Sequence, residues 1–234
     1  MTEQDTKKRD WLRSLIAVLL GILIGAVATA AFSGYFVRRY LLQNPEVVGE
    51  AIRELEARQT ASIIEPHRRA LETPYHGGWA GAAQPRVVLV ELFDYACGFC
   101  RASNPHIDRL MRENPDLRVV YREFPVLGPN SEQAAIASLA AARAGKFKQF
   151  HDALFAAGPP SPETIAAASR TVGLGEAELT EDVTREVRQN MSIARALGAQ
   201  GTPTFVVGDR ILHGAVGYEA LRDAIAEARA RAES

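Results

Sequence analysis

The chain has 234 residues, 47% of them hydrophobic, enough for one sizeable folded domain and an appendage. A formal net charge of −1 offers no basic excess for nucleic acid. Its two cysteines are too few for a structural zinc site or a disulfide-stapled mini-domain.

In chain order, Ser14 to Val37 is an uncharged run dominated by Leu, Ile, Val, Ala and Gly. It meets the roughly 20 residues that a spanning helix needs. Trp11 lies near one end and Tyr35 and Phe36 at the other, as suits membrane interfaces. Lys7, Lys8, Arg9 and Arg13 precede the run and Arg38 and Arg39 follow it, so residues 1–13 are expected in the cytoplasm and the C-terminal bulk outside. Ala28-Thr29-Ala30 resembles a signal-peptide cleavage site, but the apolar run continues past it. An uncleaved anchor over 14–37 is the reading taken. Either alternative exports the domain.

Residues 38–75 read as a helical stalk. Leu41, Val48 and Leu55 recur every seven residues with Ile52 on the same side. Such a stripe fits packing on the chain's own domain, or a self-associating stalk. Pro45 suits a helix start, and Pro66 predicts a helix end near Glu65. Gly, Ala and Pro then cluster over 76–85, which reads as a linker.

Val87 to Phe93 has the length and composition of a buried central strand, interrupted by Glu91. It leads through Asp94-Tyr95-Ala96 into Cys97-Gly98-Phe99-Cys100, after which Ile107, Leu110 and Met111 recur at helical spacing. A lone C-x-x-C reads as a redox pair. At a helix start, unpaired N–H groups and the helix dipole favour a thiolate at Cys97, the attacking species in disulfide exchange. Cys100, one turn on, can resolve the mixed disulfide. Pro105 predicts a kink in that helix.

Leu117 to Phe124 is a second strand. A helix follows with Asn130 and Gln133 as a capping pair, then further helices capped by Ser161 and Thr180, so about 126–200 reads as a helical insertion. Thr204 to His213 carries a hairpin signature around Gly208-Asp209, and Tyr218 to Ala232 is a closing amphipathic helix. The fold expected over 86–234 is an α/β sandwich with an inserted helical lobe. His106, His151 and His213 have no apparent partners for a metal and read as structural.

This order resembles the DsbA-like branch of the thioredoxin fold, including DsbG- and ScsC-type members. The resemblance covers about 86–230 and rests on Phe93-Asp94-Tyr95-Ala96-Cys97-Gly98-Phe99-Cys100, on Glu123-Phe124-Pro125-Val126-Leu127-Gly128-Pro129 and on Gly201-Thr202-Pro203-Thr204-Phe205. It implies a thioredoxin fold and a protein disulfide oxidoreductase. By the same resemblance, Pro203 is a cis-proline facing the redox pair, the Thr202 backbone pairs with extended substrate, and Glu91 relays a proton to or from Cys100. No metal or organic cofactor is implied, since the Cys97–Cys100 pair serves as the redox group. Partners would be proteins with cysteines and a membrane redox protein.

The departures bear on direction. Gly98-Phe99 lacks the histidine of strongly oxidising members, and Thr202 looks more like isomerase and DsbG- or ScsC-like members. Residues 40–48 look like the N-terminal helical region of ScsC-type proteins, some of which oligomerise there. The location implied is the bacterial inner membrane, single-pass, with the catalytic domain in the periplasm. Oxidase and isomerase or reductase stay open, as does a Cu(I)-binding or chaperone-like role with two soft thiolate ligands.

Overall fold

The computed structural model describes residues 3–232; Met1, Thr2, Glu233 and Ser234, the outermost residues of the expected 1–13 and 86–234 stretches, lie outside them. So do the side chains of Lys7, Lys8, Arg9 and Arg13, on which the expected orientation rests. The chain divides into two compact units, one ending at Glu56 and the other beginning at Ala57.

The first unit is helical. Helix α1 (Glu3–Gln43) contains Val18–Gln43, the one stretch among the described residues long and apolar enough to cross a membrane, with a mean hydropathy of 1.9. After Asn44, helix α2 (Pro45–Ile64) begins at Pro45, where a missing N–H costs little. Leu41, Val48, Ile52 and Leu55 are all exposed.

The second unit is built on one five-stranded sheet in the order β1-β3-β2-β4-β5, with β1 Trp79–Gly81, β2 Val87–Phe93, β3 Leu117–Glu123, β4 Thr204–Val207 and β5 Arg210–His213. β2 and β3 run parallel, joined by helix α4 (Gly98–Glu113); the other pairings are antiparallel. Alternation along β2 sends Leu89 and Phe93 into one apolar cluster with Cys97, Cys100 and Ile107, and Val90 and Leu92 into another with Ile64, Leu71 and Ile193. A strand covered on both faces has to read as nearly continuous apolar sequence, and β2 does.

Between β3 and β4 lie α5 (Pro129–Arg143), α6 (Phe147–Ala157), α7 (Pro162–Thr171) and α8 (Glu181–Ala196); α9 (Gly217–Ala232) closes the chain. Ser161 caps α7 reciprocally with Thr164, and Thr180 accepts from the Val183 N–H at the start of α8. The cap expected at Asn130 is replaced. Pro129 takes the first turn of α5, and Gly128 is the cap residue with φ of 121°, a value open to glycine. α4 continues through Pro105.

The expected linker over 76–85 is corrected, because Trp79–Gly81 pairs with β3 as an edge strand. Gly81 is needed there: an added Cβ would lie 2.3 Å from the Leu117 carbonyl oxygen. Tertiary pairing overrides the loop-like composition. The fold also starts before residue 86, since Ile64 and Leu71 are fully buried. Leu71 lies in α3 (Arg68–Glu72), which follows α2 after one 3₁₀ turn.

Arg122 on β3 explains why that early segment belongs to the core. It is 2% exposed and donates to the carbonyls of Ala70, Leu71 and Thr73, to Glu186 at 2.5 Å and to Asn190 at 3.2 Å. Removing one partner from a buried charged network costs about 3–5 kcal/mol. Arg122→Met is expected to lose about that much unfolding free energy in urea titrations, since it leaves Glu186 and the carbonyls unpaired. A loss within roughly 0.5 kcal/mol, the range of ordinary surface changes, would refute this role.

Candidate active site

The redox turn sits where β2 ends and α4 begins. Cys97 is the N-cap residue of α4, with extended backbone (φ −81°, ψ 114°), and its N–H donates to the Asp94 carbonyl at 3.0 Å. Cys100, one turn into the helix, is fully buried, whereas Cys97 keeps 6% exposure. Of the two, only Cys97 keeps any exposure. Both cysteines are free thiols.

The turn before β4 faces them. The Thr202–Pro203 peptide is cis, and the Cys97 Sγ–H donates to the Thr202 carbonyl oxygen at 3.1 Å. The Thr202 backbone carbonyl is thus at the redox pair. Beside it, Gly198, Gln200, Gly201, Thr202, Thr204 and His213 line a groove of about 360 Å³.

Glu91 lies on β2, opposite Phe205 of β4 and Tyr121 of β3. The period of two that sends Leu89 and Phe93 toward the cysteines sends Glu91 to the same face. It is fully buried, and neither carboxyl oxygen has a hydrogen-bond partner. Burial, helped by the charge of Cys97, pushes its pKa up to about 8. Burial and the nearby Glu91 charge push the Cys100 thiol far above its ordinary range. A buried acid poised near neutrality beside a thiol that must lose its proton suits proton transfer.

A family model described as "DSBA-like thioredoxin domain" matches residues 88–226. The chain belongs to this family. A second model, "Copper resistance protein ScsC N-terminal domain", matches residues 34–61. Among solved structures, Proteus mirabilis ScsC in a transitional conformation is 28% identical, covers 88% of this chain and 99% of its own, and has a TM-score of 0.68. A periplasmic thioredoxin-like protein from Salmonella enterica serovar Typhimurium is 28% identical, with 70% and 95% covered and a TM-score of 0.66. The thiol-disulfide exchange protein alpha-DsbA2 from Wolbachia pipientis is 25% identical, with 73% and 96% covered and a TM-score of 0.65. Among curated relatives, a Na(+)/H(+) antiporter NhaA 3 from Salinispora tropica is 30% identical over 164 residues, 65% of this chain and 24% of that protein. The chain spans about a quarter of that relative's length, and the transport named there is that protein's.

Several residues of this DsbA-like site were not assigned from sequence. Asp94, 1% exposed, accepts N–H groups from Ala96, Val126 and Leu127. An aspartate opening a tight turn is the signal that could have found it. Glu123, 2% exposed, lies opposite Phe93 on the neighbouring strand and is pushed well above the usual carboxyl range by burial. Phe99, Val126 and Leu127 are exposed.

His151 is a core residue, ringed by Phe93, Tyr95, Tyr121, Phe147 and Phe155, and burial lowers its pKa to about 3, so it is neutral. His106 is half-buried and His213 exposed. Among the described residues no group of three or more His, Cys, Asp or Glu is arranged to hold a metal.

The raised pKa of Glu91 has a stability consequence with a definite sign. The folded protein keeps this proton up to about pH 8, whereas the unfolded chain loses it near 4.5. The contribution is fully present below about 4.5 and is lost as pH rises through about 8. Unfolding free energy should fall across that window by roughly 4–5 kcal/mol on account of this one group. Glu91→Gln should flatten the profile by a similar amount, read from denaturant midpoints at successive pH values. Parallel profiles for the two proteins would contradict a buried, titrating Glu91.

Proposed function

We propose that this chain is a thiol–disulfide oxidoreductase that acts on protein cysteines outside the cytoplasm through Cys97 and Cys100. The observation that carries this is the contrast between the two sulfurs. Cys97 keeps 6% exposure and bonds to the Thr202 carbonyl, while Cys100 is fully enclosed near the buried Glu91 carboxyl group.

In the reducing direction, the Cys97 thiolate attacks a substrate disulfide. One substrate sulfur leaves as thiolate and the other is held in a mixed disulfide. Cys100 passes its proton to Glu91 in its ionised form, the minor one below about pH 8, and attacks Cys97 Sγ. The Cys97–Cys100 disulfide forms, the second substrate thiolate departs, and two electrons have moved from enzyme to substrate. The oxidising direction runs these steps backwards, with Glu91 returning the proton to Cys100. The pair needs no metal or organic cofactor for either direction.

An extended substrate segment would lie along the Thr202 backbone in the manner of strand addition. The apolar Val18–Gln43 stretch supports a single-pass anchor, with the catalytic domain in the periplasm. Such a tether favours a membrane redox partner for recycling. The exposed Leu41, Val48, Ile52 and Leu55 support self-association of the stalk, a geometry suited to isomerase work.

Direction is tested by the equilibrium potential of the pair in glutathione buffers. With no histidine in Gly98-Phe99, a value more reducing than the about −120 mV of the strongest oxidants is expected. A value at or above it would make oxidase the sole reading. The exchange chemistry itself is tested by trapping. Cys100→Ala should accumulate a mixed disulfide with a two-cysteine peptide, seen by mass spectrometry, and Cys97→Ser should form none. Equal adducts from both variants would reject Cys97 as the nucleophile.

A further inference from the structure

The Asp94 carboxylate connects two loops that meet at the end of the sheet. Its Oδ1 accepts the Ala96 N–H at 2.8 Å, inside the turn that carries Cys97. Its Oδ2 accepts the Val126 N–H at 2.9 Å and the Leu127 N–H at 3.0 Å, in the loop that leaves β3. Its own carbonyl accepts the Cys97 N–H, and one residue earlier the Phe93 carbonyl accepts the Phe124 N–H at 2.8 Å. The brace is buried, with Asp94 1% exposed, while the loop it holds presents apolar side chains, Val126 at 41% and Leu127 at 53% exposure. Phe99, between the cysteines, is 68% exposed.

Burying a carboxylate this fully requires hydrogen bonds to its oxygens, and three backbone N–H groups supply them. A stable fold alone needs no such brace at a loop whose side chains face water. The arrangement fixes where Val126 and Leu127 stand relative to Cys97. We infer that Asp94 is a positioning residue for substrate recognition, holding Val126 and Leu127 as an apolar rim that engages protein disulfides with apolar residues beside the cysteine. This rests on the oxidoreductase reading above and adds the class of substrate it prefers. A small disulfide such as glutathione carries no apolar side chain to offer that rim, so the rim separates the two classes.

The full chain in detergent is compared with Asp94→Asn, Val126→Ser/Leu127→Ser and the triple variant. The substrates are oxidised glutathione and a peptide disulfide with Leu and Val flanking each cysteine. An Asn cannot accept all three N–H groups without setting its own amide N–H against one of them. Asp94→Asn is expected to lose on the order of tenfold more kcat/KM toward the peptide than toward glutathione, mainly through KM. Val126→Ser/Leu127→Ser should show the same preference, and the triple variant should be no worse than either, because both act on one feature. Amide exchange at Val126 and Leu127 should be slow in the wild type and fast in Asp94→Asn. Where Asp94→Asn lowers the folded yield, the exposed Val126→Ser/Leu127→Ser pair carries the test.

Equal losses toward both substrates, additive effects in the triple variant, or amide protection kept in Asp94→Asn would each overturn the inference. A wild type inactive toward glutathione and peptide alike would overturn the oxidoreductase reading, and this role with it.

Discussion

β2 stops where α4 starts, and both of its faces are covered. Burial on both faces sets the apolar run, and the period of two places Glu91 on the side of the cysteines. The abrupt end places Cys97 at the cap of α4, with extended backbone and its N–H on the Asp94 carbonyl. A helix that started one residue later would leave Cys97 outside the cap. A strand that shifted by one residue would turn Glu91 to the opposite face, toward Ile64 and Leu71. The position of the acid and that of the redox pair are therefore one constraint.

That constraint is enforced from both edges. On one side β3 runs parallel to β2 over seven residue pairs, and Arg122 on β3 gathers the Ala70, Leu71 and Thr73 carbonyls. On the other side β4 pairs with β2 just after Pro203, so the Thr202 carbonyl arrives at the Cys97 sulfur. What stays open at this end of the sheet is the groove beside Gln200 and His213 and the loop tip at Val126 and Leu127.

The strands and helices around this site were legible because their signals are local. Val87–Phe93 is apolar over its whole length, Ser161 and Thr180 carry their caps within three residues, and Gly208-Asp209 marks its own hairpin. Cys97 and Cys100 were legible for the same reason. What was not legible depends on distant partners. Trp79–Gly81 has the composition of a loop and becomes a strand only because β3 lies beside it. Leu71 joined the core in a segment whose Ala70 and Leu71 carbonyls accept from Arg122, some fifty residues on. Asp94 showed its turn to Ala96, but its bonds to Val126 and Leu127 span more than thirty residues. Periodicity carries no information about such pairs.

The buried charges of this domain fall into two kinds, and their hydrogen bonds tell them apart. Arg122 and Asp94 are enclosed with several hydrogen-bond partners each, and they hold backbone segments in place. Glu91 is enclosed with none, and its proton is retained up to about pH 8. A buried carboxyl group without partners weakens a fold, and an apolar residue of similar volume at the centre of β2 would strengthen it. Structural need therefore explains Arg122 and leaves Glu91 unexplained. An acid whose pKa burial has raised to about 8, beside a thiol that burial has driven far upward, is suited to exchanging a proton with that thiol, which is the role proposed for it. The missing hydrogen bonds are part of the same reasoning, because N–H donors to a carboxylate favour its charged form, and Glu91 has none.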